Sequence, residues 1–262
     1  MARNRRGPFV AGNWKMHLTL PEARELARKV SEFAPELREA TVVLIPPFTA
    51  LGIVGVTIAG SGVGLAAQDL HWETQGAFTG EVSGPMLKDA GCDYVLVGHS
   101  ERRQLFGETD ETVGLKVVAA LRSGLSPIVC VGEVLAEREA GRTMARIDEQ
   151  LSRGLGGLSK EDFERVVVAY EPVWAIGTGK TASPAQAEEV HAHIRGRVQE
   201  SYGNDTAACA IILYGGSVKP ANAYSLFKEQ DIDGFLVGGA SLDALGIVGI
   251  VREALRAYRE EK

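Results

Sequence analysis

Cysteine is scarce: the chain has three, Cys92, Cys130 and Cys209. The count is odd and no two stand at metal-ligand spacing, so neither a metal site nor a disulfide framework is expected. Each lies in or beside an apolar run, and all three read as small, buried, reduced residues of a reducing compartment. Long hydrophobic runs are missing as well. No window approaches ~18 uninterrupted apolar residues, so no membrane span is expected. The basic stretch Arg3 to Arg6 is not followed by a signal-type apolar segment before Gly12-Asn13, and it reads as a solvated terminus. A cytoplasmic location is the expectation. An excess of positive charge is also lacking. Lys plus Arg number 28 against 34 Asp plus Glu, a net charge of −6. No bulk field then favours nucleic acid or an anionic membrane. An anionic substrate would need a local positive site. No linker or low-complexity segment divides the chain, so residues 1–262 read as one domain.

What is present is a rhythm. Short apolar runs recur at Phe9-Ala11, Thr41-Ile45, Val63-Ala67, Tyr94-Val97, Pro127-Val131, Val166-Tyr170, Cys209-Tyr214 and Gly234-Val237. Most are near-continuously apolar, as strands buried on both faces are. Helical patterns lie between them: 21–33 behind Thr19, 111–121, 184–198 behind Ser183 with Pro184 at the first helical position, and 243–258 after Ser241. The apolar stretch 49–58 fits helix or strand by itself and is assigned as helix from its place in the alternation. Strand then helix, repeated over about 250 residues, predicts an α/β fold closed as a single (β/α)8 barrel. An open doubly wound sheet is the alternative. The longest stretch without periodicity, 69–83, reads as a functional loop or an interface.

Several familiar motifs fail on inspection. Gly177-Thr178-Gly179-Lys180-Thr181 ends like a phosphate-binding P-loop, but Trp174 holds the required first glycine position. Gly98-His99-Ser100-Glu101 begins like a nucleophile elbow, but Arg102 stands where the last glycine belongs. The glycines at 60, 62 and 64 precede a strand, whereas a dinucleotide site needs them after one. His191 and His193 do not share a helix face, so they cannot chelate one metal.

The remaining polar residues fall at C-terminal ends of expected strands, where barrel enzymes keep their chemistry. Lys15, in Asn13-Trp14-Lys15, is either a solvated lysine or a local cation at the mouth. His99 opens a helix start at Ser100-Glu101; it is either a structural histidine or a neutral one beside a helix N-terminus. Glu171 ends a buried strand and is a functional carboxylate or an ion-pair partner. After it, Val173 to Ile176 leads into Gly177 and Gly179, a composition that suits a lid closing over a site or an ordinary packed loop. Glycine pairs at 215–216 and 238–239 close the last two strands, where backbone N–H groups can approach an anion.

Together these segments resemble the triosephosphate isomerase family almost end to end. The likeness is carried by Gly12-Asn13-Trp14-Lys15, Ala67-Gln68, Gly76 to Glu81, Gly98 to Arg103, Cys130 to Glu133, the lid from Tyr170 to Lys180, Tyr214 to Val218 and Gly238 to Leu242. The resemblance implies interconversion of dihydroxyacetone phosphate and glyceraldehyde 3-phosphate, a step of glycolysis and gluconeogenesis, without cofactor or metal. It implies Glu171 as general base, neutral His99 as electrophile, Lys15 stabilising negative charge and Asn13 positioning the substrate. Backbone N–H groups of Gly177, Ser217, Gly238 and Gly239 would hold the phosphate. Glu101, Ser100, Cys130 and Tyr214 would support these groups. It also implies a homodimer through the loop from Asp69 to Ser83, although Asp69 departs from the asparagine usual there. The competing readings are another barrel isomerase or lyase acting on a different sugar phosphate, and a silent barrel that only binds phosphorylated metabolites.

Overall fold

The computed structural model describes residues 7–176, 181–260 and 262. The strands are β1 (Phe9–Asn13), β2 (Thr41–Ile45), β3 (Gly64–Ala67), β4 (Tyr94–Val97), β5 (Ser126–Val131), β6 (Val167–Tyr170), β7 (Ile211–Tyr214) and β8 (Gly234–Val237). Each pairs in parallel with the next, and β8 returns to β1, so the sheet is a closed barrel. The alternation read from the sequence holds, and the open-sheet alternative does not.

Two cores divide the strand residues by parity. Phe9, Ala11, Val43, Ile45, Ala66, Leu96, Ile128, Cys130, Val167, Ala169, Leu213 and Leu236 form one apolar cluster, which fills the barrel. Their neighbours Val10, Val42, Leu44, Leu65, Val95, Val97, Val129, Val168, Ile212 and Phe235 belong to a second cluster shared with the helices. A strand side chain alternates faces every residue, so a strand apolar at every position serves both cores at once.

Helix starts follow the caps. Thr19 and Glu22 form a capping box ahead of the helix Leu20–Phe33, and Ser183 with Gln186 does the same for Pro184–Tyr202. The 49–58 stretch is a 3₁₀ turn, Phe48–Ala50, followed by the helix Leu51–Ile58. Cys209 corrects the sequence reading. It ends the short helix Asn204–Cys209 instead of entering β7, and it is exposed, while Cys92 and Cys130 are buried. The apolar run Cys209-Tyr214 gave no signal for that helix end. The loop 69–83 is irregular, with its ends joined by a bridge between His71 and Ser83. His71 stacks on Trp72 at 4.2 Å and packs against Phe78 at 4.3 Å. No helix among the described residues is long and apolar enough to cross a membrane.

Candidate active site

At their C-terminal ends the inward-facing series change character. Two residues beyond Ala11 stands Asn13; beyond Ala66, Gln68; beyond Ala169, Glu171; beyond Leu213 and Leu236, Gly215 and Gly238. The same period of two that fills the barrel thus delivers polar side chains and bare backbone to its mouth. Asn13, Lys15, His99, Glu171, Ser217, Gly238 and Gly239 line one cavity of about 490 Å³ there. Gly177, the remaining expected phosphate contact, lies outside the described residues, as do Gly179, Lys180 and the basic stretch 3–6.

Glu171 is 2% exposed. Its carboxylate accepts the Ser100 N–H at 3.0 Å and the Ser100 hydroxyl at 3.4 Å, and lies 3.1 Å from His99 Nε2. Burial alone would raise its pKa. His99, the Ser100 N–H and the Cys130 thiol outweigh burial and hold the carboxyl below its ordinary value. The Cys130 thiol is displaced the other way, by burial first and the Glu171 charge second. The backbone makes room for this carboxylate: a Cβ on Gly215 would stand 2.9 Å from Glu171 Cγ.

His99 follows Gly98, whose φ of 72° takes β4 sharply into the helix Ser100–Phe106. Burial opposes the imidazolium, yet the Glu171 charge raises the proton affinity of the ring above its ordinary value. The tautomer follows from the cap. The Glu101 N–H donates to His99 Nδ1 at 3.2 Å, so in the neutral ring Nδ1 carries the lone pair and Nε2 carries the proton. A proton on Nδ1 would face a backbone N–H at the helix N-terminus.

Lys15 has a left-handed backbone, φ 52°, unusual for a side chain of its size. The Asn13 carboxamide accepts its N–H at 2.9 Å, and Gln68 Nε2 donates to its carbonyl at 2.7 Å. Its ammonium lies 2.5 Å from Glu101 Oε1. Tyr214 sits beneath the glycine turn, since a Cβ on Gly216 would stand 2.2 Å from its hydroxyl; burial pushes that phenol up to about 12.

Two supports were not assigned a role from the sequence. Gln68 continues the inward series of β3 and could have been found by counting in twos. Glu133, fully buried, accepts from Tyr170 Oη at 3.2 Å and Trp174 Nε1 at 2.9 Å, and pairs with Arg138 at 3.1 Å. It anchors the turn Val173–Ala175 at the start of the expected lid. Its role is not marked locally, because Tyr170 and Trp174, which donate to it, come from a stretch 37 and 41 positions further on.

A closed parallel barrel that gathers a buried carboxylate, an Nε2–H imidazole and an ammonium around one cavity defines a class: (β/α)8 enzymes of acid–base chemistry on small anions. The family model of triosephosphate isomerase matches residues 8–254. A triosephosphate isomerase of Moorella thermoacetica is 57% identical over 246 residues, covering 94% of this chain and 98% of that protein. One from Trichlorobacter lovleyi is 53% identical over 247 residues, with the same coverage. One from Thermoanaerobacter pseudethanolicus is 52% identical over 248 residues, covering 94% and 99%. The chain belongs to the triosephosphate isomerase family, and it is an isomerase whose substrate is a small phosphorylated molecule.

Proposed function

We propose that the cavity interconverts dihydroxyacetone phosphate and D-glyceraldehyde 3-phosphate with Glu171 as the proton-transfer base. Its carboxylate takes a proton from the carbon beside the carbonyl while His99 Nε2–H donates a hydrogen bond to the carbonyl oxygen. The resulting enediolate carries negative charge that the Lys15 ammonium offsets, and Asn13 helps orient the substrate. Reprotonation at the neighbouring carbon completes the isomerisation. Backbone N–H groups at Ser217, Gly238, Gly239 and Gly177 hold the phosphate. Gly239 opens a 3₁₀ turn, whose first N–H groups have no partner within the turn. The expected lid from Tyr170 to Lys180, of which 177–180 lie outside the described residues, serves to exclude water, which protects the enediolate from loss of its phosphate. The observation that carries this reading is the 3.1 Å juxtaposition of a buried carboxylate with a ring nitrogen that bears the proton. The two groups satisfy each other across that distance, and a substrate oxygen and carbon would engage them separately. A location in the cytoplasm and a homodimer through 69–83 complete the proposal. The exposed Phe78 of that loop and the free thiols support them.

The test is a coupled assay with glyceraldehyde 3-phosphate. Glu171→Gln keeps shape but cannot accept the proton, and turnover should fall at least about 10²–10⁴-fold with little change in affinity for a phosphate ligand. Near-normal turnover in that variant would remove Glu171 from the role of base.

A further inference from the structure

We propose that Lys219 is a further substrate-recognition residue, an exposed cation that captures the phosphate dianion at the cavity mouth on encounter. The proposal rests on the reading of this cavity as a phosphorylated-triose site. Its starting point is charge. The chain is net −6, and the cavity contains the Glu171 carboxylate. Lys15 is engaged by Glu101 at 2.5 Å, so at a distance that pair presents little net charge. Lys15, Glu101 and Glu171 together sum to −1, an unfavourable field for an incoming dianion. Lys219 lines the same cavity beside Ser217 and brings that sum to zero. It is exposed, and no carboxylate pairs with it among the described residues.

The backbone carrying it is held to the phosphate end. The Lys219 N–H donates to Asn222 Oδ1 at 2.8 Å, and Asn222 Nδ2 donates to the Ser217 carbonyl at 3.0 Å. One amide therefore ties the cation to the expected phosphate contact. The following Pro220 packs tightly on the helix Ala244–Glu260, where a Cβ on Gly249 would stand 2.9 Å from its ring. Pro220 also opens the helix Pro220–Phe227 with its fixed φ. An exposed charge on a fixed backbone adds little affinity once salt screens it; at low ionic strength it strengthens both encounter with and binding of an anion. Its signature is a salt-dependent specificity constant.

The experiment compares Lys219→Met, Lys219→Arg and Lys228→Met with the unaltered enzyme. Lys228 pairs with Glu260 away from the cavity, so its variant makes the same change in net charge elsewhere. kcat/KM for glyceraldehyde 3-phosphate is followed from about 10 mM to about 1 M ionic strength. Binding of inorganic phosphate is measured by calorimetry at the low end. Lys219→Met should lose up to about tenfold in kcat/KM at low ionic strength, with a flatter salt dependence and a loss that vanishes at high salt. It should also bind inorganic phosphate more weakly. Lys219→Arg should retain both properties, and Lys228→Met should resemble the unaltered enzyme. The proposal falls if Lys219→Met keeps the original salt slope and phosphate affinity, or if Lys228→Met loses as much. Calorimetry needs no turnover, so it decides the role of Lys219 even if the Glu171→Gln assay removes the base assignment.

Discussion

Lys15 shows how a single residue is prepared for its task at a local cost. A non-glycine side chain at φ 52° carries strain of about 1–3 kcal/mol. Asn13 and Gln68 hold it there through the backbone, which leaves the ammonium free to meet Glu101 and the cavity. Gln68→Ala should therefore lower kcat/KM by about tenfold or more while the barrel stays folded, because a small misplacement of a reacting group is costly. Steady-state kinetics alongside circular dichroism checks this. Lys15→Met removes the charge itself and should cost about 10²–10³-fold in kcat/KM. If Gln68→Ala were the more damaging of the two, the charge of Lys15 would not be what the clamp serves. Asn13, Lys15, His99 and Glu171 were all legible in the sequence because each follows an apolar strand. Glu133 was not, because Tyr170 and Trp174, which donate to it, stand 37 and 41 positions away; Asn222 acts on its near neighbours Lys219 and Ser217, a capping pattern that is local in the sequence.

At the scale of elements, the helix that begins just after His99 is joined to the start of the 69–83 loop by a buried ionic cluster. Asp69 lies 2.9 Å from Arg102 and 2.6 Å from Lys116, and Lys116 lies 2.6 Å from Glu108. Asp69, Glu108 and Lys116 are all buried. Burial pushes the Asp69 carboxyl above its usual value in spite of Lys116. Lys116→Met would remove the buried cation between the two carboxylates and leave them to Arg102, which lies 2.9 Å from Asp69 and 3.4 Å from Glu108. A loss of about 3–5 kcal/mol in unfolding free energy is expected, measured by denaturant titration. Asp69→Asn should cost clearly less, since its carboxylate is already disfavoured. Equal costs for the two variants would contradict this account. The Asp at 69 stood out in the sequence only as a departure from the family; its partners Arg102 and Lys116 come from the helices Ser100–Phe106 and Asp110–Arg122.

For the whole molecule, two expectations follow. If the 69–83 loop enters a partner, Thr79→Arg combined with Glu81→Arg should yield a less active monomer, which sedimentation and the coupled assay would reveal. A fully active monomeric parent enzyme would exclude the dimer requirement. The second concerns pH. His191, buried in the helix Pro184–Tyr202, has its pKa lowered from 6.5 to about 4 by burial. Above pH 6.5 both folded and unfolded states hold it neutral, so it adds no pH dependence. As pH falls from 6.5 toward 4 the unfolded state gains the proton first, and stability is lost, on the order of 3 kcal/mol. His191→Phe should flatten that limb in denaturant titrations across the window. An unchanged slope would mean that other groups set it.

The linear order of apolar runs, caps and glycines determined the alternation of strands and helices, because a strand buried on two faces and a helix buried on one leave different periodicities in the chain; closure into a barrel was decided by the pairing of β8 with β1. The linear order also determined which residues stand at the strand ends, since period two continues past the last hydrogen bond. The boundaries near Cys209 were decided by tertiary structure, where a short helix and solvent claim residues that the pattern assigns to a strand. The protonation pattern of His99 and Glu171 was decided there too. It depends on a helix cap, a buried neighbour and a distance of 3.1 Å between residues 72 positions apart, and no local pattern encodes a distance across the barrel.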